Sequence, residues 1–176
     1  MKYSPEMIVF NDNTFNINKP RFMKFCAGMK ASKLRWCAAI RCQPFDDEMA
    51  RTAKDSGCAY FVVGVESFIQ EKLDRMNKKI KVRQIERTLD LLHKHGIDYH
   101  GNVLLGFENE TTQDIQAELG SVPKGYKVFP AMVQPFIGTN NGFDRSITKR
   151  EYSLLNSAFI KYTESRGKTC YRQLES

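Results

Sequence analysis

Residues 61–65, Phe-Val-Val-Gly-Val, form an unbroken apolar run, and Glu66 and Ser67 follow it directly. A continuous run of this length reads as a strand covered on both faces, the pattern of a parallel sheet. That one feature constrains the rest of the chain. Parallel neighbours cannot be joined by a tight hairpin and need crossover connections, usually helices.

The flanking sequence supplies them. A strand is expected over 7–10, followed by the polar turn "NDNTFNIN" and a helical stretch opened by Pro20 in its first turn. A second strand spans 34–41. The helix after it, over 45–56, carries acidic residues at its start and stops at Gly57. After the third strand, Ile69, Leu73 and Met76 share a helical face. Val82, Ile85, Leu89 and Leu92 then recur at helical spacing up to Gly96. A fourth strand is read over 98–106, with Thr111 or Thr112 starting the next helix. A fifth is read over 126–136, although its prolines weaken the assignment. Thr148 and Glu151 form a capping box for a last helix whose buried face is Leu155, Ala158, Phe159 and Tyr162. Strands alternating with helices make this an α/β chain of βαβ units. No Gly-x-Gly-x-x-Gly fingerprint and no Walker loop occurs, which disfavours dinucleotide and phosphate-loop folds. A partial, open βα barrel and a doubly wound sheet both satisfy the pattern.

Composition sets the outer bounds. At 176 residues with 27% charged side chains, the chain is sized and composed like one globular domain. It has no apolar run long enough to span a membrane and no signal peptide, so a cytoplasmic location is expected. The net charge of +7 favours anionic partners or, more blandly, reflects a solvated basic surface; the densest cluster, 77–83, lies between two helical patterns. Five cysteines with no Cys-x-x-Cys pair argue against a disulfide framework or a zinc site, and buried, reduced thiols are expected. His93 and His95 are two apart on a helix and face different ways, while His100 stands alone, so no metal site is expected from the histidines.

In a parallel sheet the C-terminal strand ends gather on one edge, where ligands bind. That edge offers Asn11, Asp12 and Asn13, then Arg41 and Gln43, then Glu66 and Ser67, then 106–110, and finally Gln134 with the turn 137–140. Such a set suits a zwitterionic ligand, with Arg41 on a carboxylate and Glu66 on hydroxyls or an amine. Structural alternatives stand beside this. Ser67 and Gln70 could form a capping box, Asp12 could close an Asx turn, and Arg41 could neutralise Glu66 or Asp12. Glu66 is hardest to explain away, because a carboxylate seldom ends a buried strand without a partner.

The ordered motifs resemble the radical S-adenosylmethionine (SAM) superfamily, in particular its cobalamin-binding and methylthiotransferase-like branches. "IVFNDNTFNIN" is similar to that family's strand and acidic turn, and 34–67 is similar to its strand, Arg, helix and "fGvES" run. Residues 72–111 resemble its "L-x-x-m-x-K" segment, helix and "G-x-i-x-G-x-p-x-E-T" turn, and "VQPFIGT" its "p-x-P-G-T". The resemblance implies a partial (βα)6 barrel with SAM across the strand ends. Glu66 and Ser67 would lie near its ribose and amine, Arg41 near its carboxylate, and the strand around Val103 to Gly106 under adenine. Gln134 would also be on the cofactor side, and Asp12 and Asn13 nearer the substrate. The sequence departs from the pattern in several places. No C-x3-C-x2-C loop for a [4Fe–4S] cluster is present, "FENET" stands for "LPGET", and Ile137 replaces a proline.

These departures lead to the expectation of a fragment carrying five of the family's six βα units, with the barrel over 1–147 and a C-terminal helix and tail over 148–176. The cluster would then be supplied only by a missing segment or a partner. An open sheet edge at 7–10 leads to an expected partner strand or self-association. Two alternatives are a cluster-free protein binding SAM, a nucleotide or another anion, and a basic protein binding nucleic acid. The substrate is not named by any motif.

Overall fold

A computed structural model describes residues 5–12, 14–107, 110–133 and 157. The elements run β1 (Met7–Phe10), α1 (Lys19–Ser32), β2 (Arg35–Arg41), α2 (Asp47–Asp55), β3 (Cys58–Glu66), α3 (Gln70–Arg75), α4 (Val82–Lys94), β4 (Asp98–Leu105), α5 (Thr112–Ser121) and β5 (Val128–Met132). The five strands form one open parallel sheet in the order β1-β2-β3-β4-β5. This sequential order decides between the two architectures left standing by the sequence. A doubly wound sheet reverses direction at a switch point, whereas each unit here adds its strand beside the preceding one, as in a βα barrel. The register sets Val9 opposite Cys37 and Arg41 opposite Gly64.

The fifth strand is shorter than expected, and Pro130 sits within it. A terminal strand of a sheet tolerates the missing N–H. The helix expected after β3 is a single short element of 6 residues. The expected C-terminal helix, the 147/148 boundary and the end of the fifth strand lie outside the described residues.

The chain divides into two compact units, Met1–Val65 with Gln70–Gly101, and Glu66–Ile69 with Asn102–Ser176. The first is organised around Trp36, which is 0% exposed. Phe10, Phe15, Phe22, Phe25 and Phe61 surround its ring at centroid distances of 4.9–6.4 Å, all edge-on or tilted. Its indole N–H donates to Ser56 O at 3.1 Å, so even the polar end is satisfied. Alternate positions Trp36, Ala38 and Ile40 of β2, and Phe61 and Val63 of β3, are buried. The apolar faces of α1 (Phe22, Cys26, Met29), α2 (Met49, Ala50, Ala53) and α4 (Ile85, Leu89, Leu92) complete this unit's core. Gly57 is required at the α2–β3 turn. Its φ is +87°, and a Cβ there would meet the Leu34 carbonyl oxygen at 2.9 Å.

Charged groups tie the helices of this unit together at their ends. Lys19 bridges Asp46 and Glu48, and Asp47, at the start of α2, accepts from Lys94 at 2.6 Å and pairs with His95 Nε2 at 3.0 Å. Lys94 first, then His95, lowers the Asp47 carboxyl to about 2. A depressed carboxyl stabilises the fold above its unfolded value near 3.8, and that contribution is lost as pH falls through about 2. Asp47→Asn is therefore expected to lower the melting temperature at pH 6, with the gap to the wild type closing by pH 2. A gap of constant size across thermal melts at both pH values contradicts the assignment.

In the second unit, Leu105 of β4 packs with Ile115 of α5, and Leu119 and Met132 flank them. The Val133 N–H donates to the Leu105 carbonyl at 2.9 Å. Thr111 caps α5 in a reciprocal box with Asp114, so the start of this helix is fixed by its own sequence.

Candidate functional site at the strand ends

Arg41 is the last residue of β2 and is exposed. Its backbone is held by a residue the sequence reading did not single out. The Asn16 side chain, 0% exposed, accepts from Arg41 N–H at 2.8 Å and donates to Arg41 O at 2.8 Å and Pro44 O at 2.6 Å. A single amide thus replaces the neighbouring strand that β2 has run past, and it fixes where the Arg41 side chain begins. Phe15 N–H, donating to Ala39 O at 3.0 Å, extends the same pairing. The segment around Asn16 has no strand or helix periodicity, so its role was not legible in the sequence.

Asp12 has both of its oxygens engaged. One accepts the Thr14 N–H at 3.0 Å, closing the Asx turn, and the other takes Arg21 at 2.7 Å. The Thr14 hydrogen bond first, then the Arg21 guanidinium, holds its carboxyl below the usual range. Asp12 is therefore paired with Arg21, and its neutralisation does not depend on Arg41. Asn13 and Gln134 lie outside the described residues.

Glu66 closes β3 with φ at +69°, in the left-handed region, and is half-buried. For a residue with a Cβ this conformation costs about 1–2 kcal/mol, and such positions concentrate where a side chain must be aimed. Ser67 behaves differently although it is the next residue. It is 0% exposed, its hydroxyl donates to Glu118 Oε2 at 2.6 Å, and the same oxygen accepts the Ile69 N–H at 2.9 Å. The expected capping box with Gln70 does not form. The Gln70 amide instead donates to Asp74 and to Ile80 O, and accepts from Val82 N–H, closing the α3–α4 connection.

Gly106 follows β4 with φ at +90°. The Glu110 carboxylate accepts its N–H at 2.6 Å and that of Phe107 at 3.1 Å, so the turn is closed by its own acidic residue. Val103 is 0% exposed. By strand alternation it shares the side of β4 that carries Leu105, so its side chain belongs to the core and the opposite side is left to Asn102 and Leu104. Within the second unit, then, Glu66 and Gly106 are left-handed strand ends, and Ser67 is a structural hydroxyl.

The four described cysteines, Cys26, Cys37, Cys42 and Cys58, are buried and not disulfide-linked. Burial raises the thiols of Cys26, Cys37 and Cys58, in the last case with Cys26 and Cys37 adding to the effect. Such thiols are poor ligands, since a metal requires the thiolate. Among the described residues no group of three or more His, Cys, Asp or Glu is placed to hold a metal ion. No described helix is long and apolar enough to cross a membrane.

The chain is similar to proteins of known family. It is 28% identical over 143 residues to an uncharacterized methyltransferase, PH0819, of Pyrococcus horikoshii, covering 78% of this chain and 31% of that protein. It is 30% identical over 134 residues to the bacteriochlorophyllide d C-12(1)-methyltransferase of Chlorobaculum tepidum, covering 74% of this chain and 29% of that one. The chain thus spans about three-tenths of the length of these relatives. Its fold matches that of the radical SAM methyltransferase TsrM of Kitasatospora setae, with a TM-score of 0.61 at 18% identity over 72% of this chain and 27% of that structure. A family model described as "Radical SAM superfamily" matches residues 5–120, two-thirds of the sequence, and the chain belongs to the radical SAM superfamily.

Proposed function

We propose that this chain carries the SAM-binding strand ends of a radical SAM enzyme of methyltransferase-like type, with Glu66 as the residue that meets the cofactor. The left-handed conformation of Glu66 carries this reading. It turns a carboxylate out of a strand end at a steric cost that a glycine there would avoid. SAM presents an ammonium group, a sulfonium and ribose hydroxyls, all of which a carboxylate can receive. The left-handed Gly106 supports the same reading, because a residue without a side chain leaves room for a ligand beside the backbone. When bound, SAM supplies the reactive carbon centre; the part of this chain is to bind and orient it.

The [4Fe–4S] cluster fits the described residues poorly. Their four thiols are buried, burial raises those of Cys26, Cys37 and Cys58, and we assign none of the four to the cluster. Methyl transfer is proposed for the whole enzyme from the two relatives named above; the chain matches less than a third of each.

Calorimetric titration with SAM is expected to show micromolar binding by the purified chain. Glu66→Gly is expected to weaken it by about 10-fold or more, the cost of one charge-assisted contact. Equal affinity in the two proteins would remove Glu66 from the site.

A further inference from the structure

We infer that Glu118 is a positioning residue, which locks the turn after β3 and thereby holds Glu66 in its left-handed, ligand-facing conformation. The inference rests on the reading of Glu66 given above and adds the device that sets it. Glu118 is 0% exposed and lies on α5, far from Glu66 in sequence. Its Oε2 accepts the Ser67 hydroxyl at 2.6 Å and its Oε1 accepts the Phe68 N–H at 3.0 Å. The two residues that follow Glu66 are therefore held by one carboxylate. Phe68 is also stacked on Tyr126, with ring centroids 6.2 Å apart and planes 12° from parallel.

The choice of side chain has a physical reason. The Ser67 hydroxyl and the Phe68 N–H both donate to Glu118, and an ionised carboxylate has acceptors at both oxygens, whereas an amide offers an acceptor at one end and a donor at the other. Burying a carboxylate is costly unless it is hydrogen-bonded, so its presence on the inner face of α5 calls for a compensating role. Ile115 and Glu118 are three apart and share a helical face. Ile115 docks on Leu105 of β4, while Glu118 reaches residues 67 and 68. Through α5, the β3 turn is tied to the strand that ends at Gly106. A sequence signal for this existed in the acidic residue on the apolar face of "TQDIQAELGS".

The test compares Glu118→Ala and Glu118→Gln with the wild type by NMR and by SAM titration. Positive φ at Glu66 gives a strong intraresidue amide-to-Hα NOE, and the bonded Phe68 amide exchanges slowly with solvent. Glu118→Ala is expected to weaken that NOE and speed Phe68 exchange by about 10-fold or more, as expected for a lost buried hydrogen bond. Glu118→Gln keeps an acceptor for Phe68 but none for the Ser67 hydroxyl, so it is expected to lose part of both signals, and it decides the matter should the alanine variant not fold. SAM affinity is expected to fall in Glu118→Ala by about the same factor as in Glu66→Ala, with little further loss in the double variant, because both changes remove one interaction. An unchanged Glu66 NOE in either variant overturns the lock. Full SAM affinity in a variant that has lost the NOE overturns the link between the lock and the ligand. If the wild type does not bind SAM, the proposed function fails, while the lock is still decided by the NOE and exchange measurements.

Discussion

Trp36→Ala is expected to destabilise the chain by about 3–5 kcal/mol, the range for deleting a fully buried large aromatic side chain. Against a total stability of about 5–15 kcal/mol for an ordinary domain, such a loss leaves the fold marginal at best. The size of the effect follows from the position. Trp36 is 0% exposed and contacts rings contributed by β1, the β1–α1 connection, α1 and β3, so the cavity has several walls that cannot all collapse inward. Trp36→Phe separates packing from hydrogen bonding. It keeps much of the volume but orphans Ser56 O, which accepts the indole N–H at 3.1 Å, and a smaller loss of about 1–3 kcal/mol is expected. Urea unfolding followed by circular dichroism measures both. A loss below about 1 kcal/mol for the alanine variant would mean that the aromatic cluster is not the organising core of the first unit.

Asn16→Asp is expected to cost roughly 2–4 kcal/mol although the two side chains have nearly the same shape. The substituted group can still accept the Arg41 N–H, but the atom that donated to Arg41 O at 2.8 Å and Pro44 O at 2.6 Å becomes an oxygen facing two carbonyls. Asn16 is 0% exposed, so water does not compensate. Asn16→Ala removes the repulsion and leaves the three backbone groups without this partner, and a slightly smaller loss is expected. Equal stability of the aspartate variant and the wild type in urea unfolding at pH 7 would show that the amide does not anchor the end of β2.

The parts of this structure legible in the sequence are those with a period. The continuous run of β3 and the heptad-like spacing of Val82, Ile85, Leu89 and Leu92 announced a buried strand and an amphipathic helix, and both are present. Gly57 was readable as a stop because its φ of +87° and the nearby Leu34 carbonyl exclude a side chain. The order of strands in the sheet was not readable from periodicity, since sequential and doubly wound sheets share the same alternation of strand and helix; the ordered motifs of the family pointed to the barrel. The connections were least legible. Asn16 and Glu118 act through hydrogen bonds to backbone 25–28 and 50 residues away, respectively; the acid on the inner face of α5 marks Glu118, but local sequence names neither residue's partners.

The "Glu-Ser" pair that ends β3 shows the same limit at single-residue scale. The sequence offered both residues to a ligand, with a capping box as the alternative for Ser67. In the structure the hydroxyl is buried against Glu118, the capping box is absent, and Glu66 is the residue with the left-handed backbone. Burial of one neighbour and strain in the other divide their roles, and neither property can be read from residue type.

The most direct test of the proposed function is NMR mapping of SAM binding on the isotope-labelled chain. Saturable amide shifts are expected at Glu66, Ser67, Gly106 and Phe107, with a midpoint that Glu66→Gly raises by about 10-fold or more, and with the Trp36 core unaffected. Saturable shifts confined to other residues, or no shifts at millimolar SAM, would contradict it.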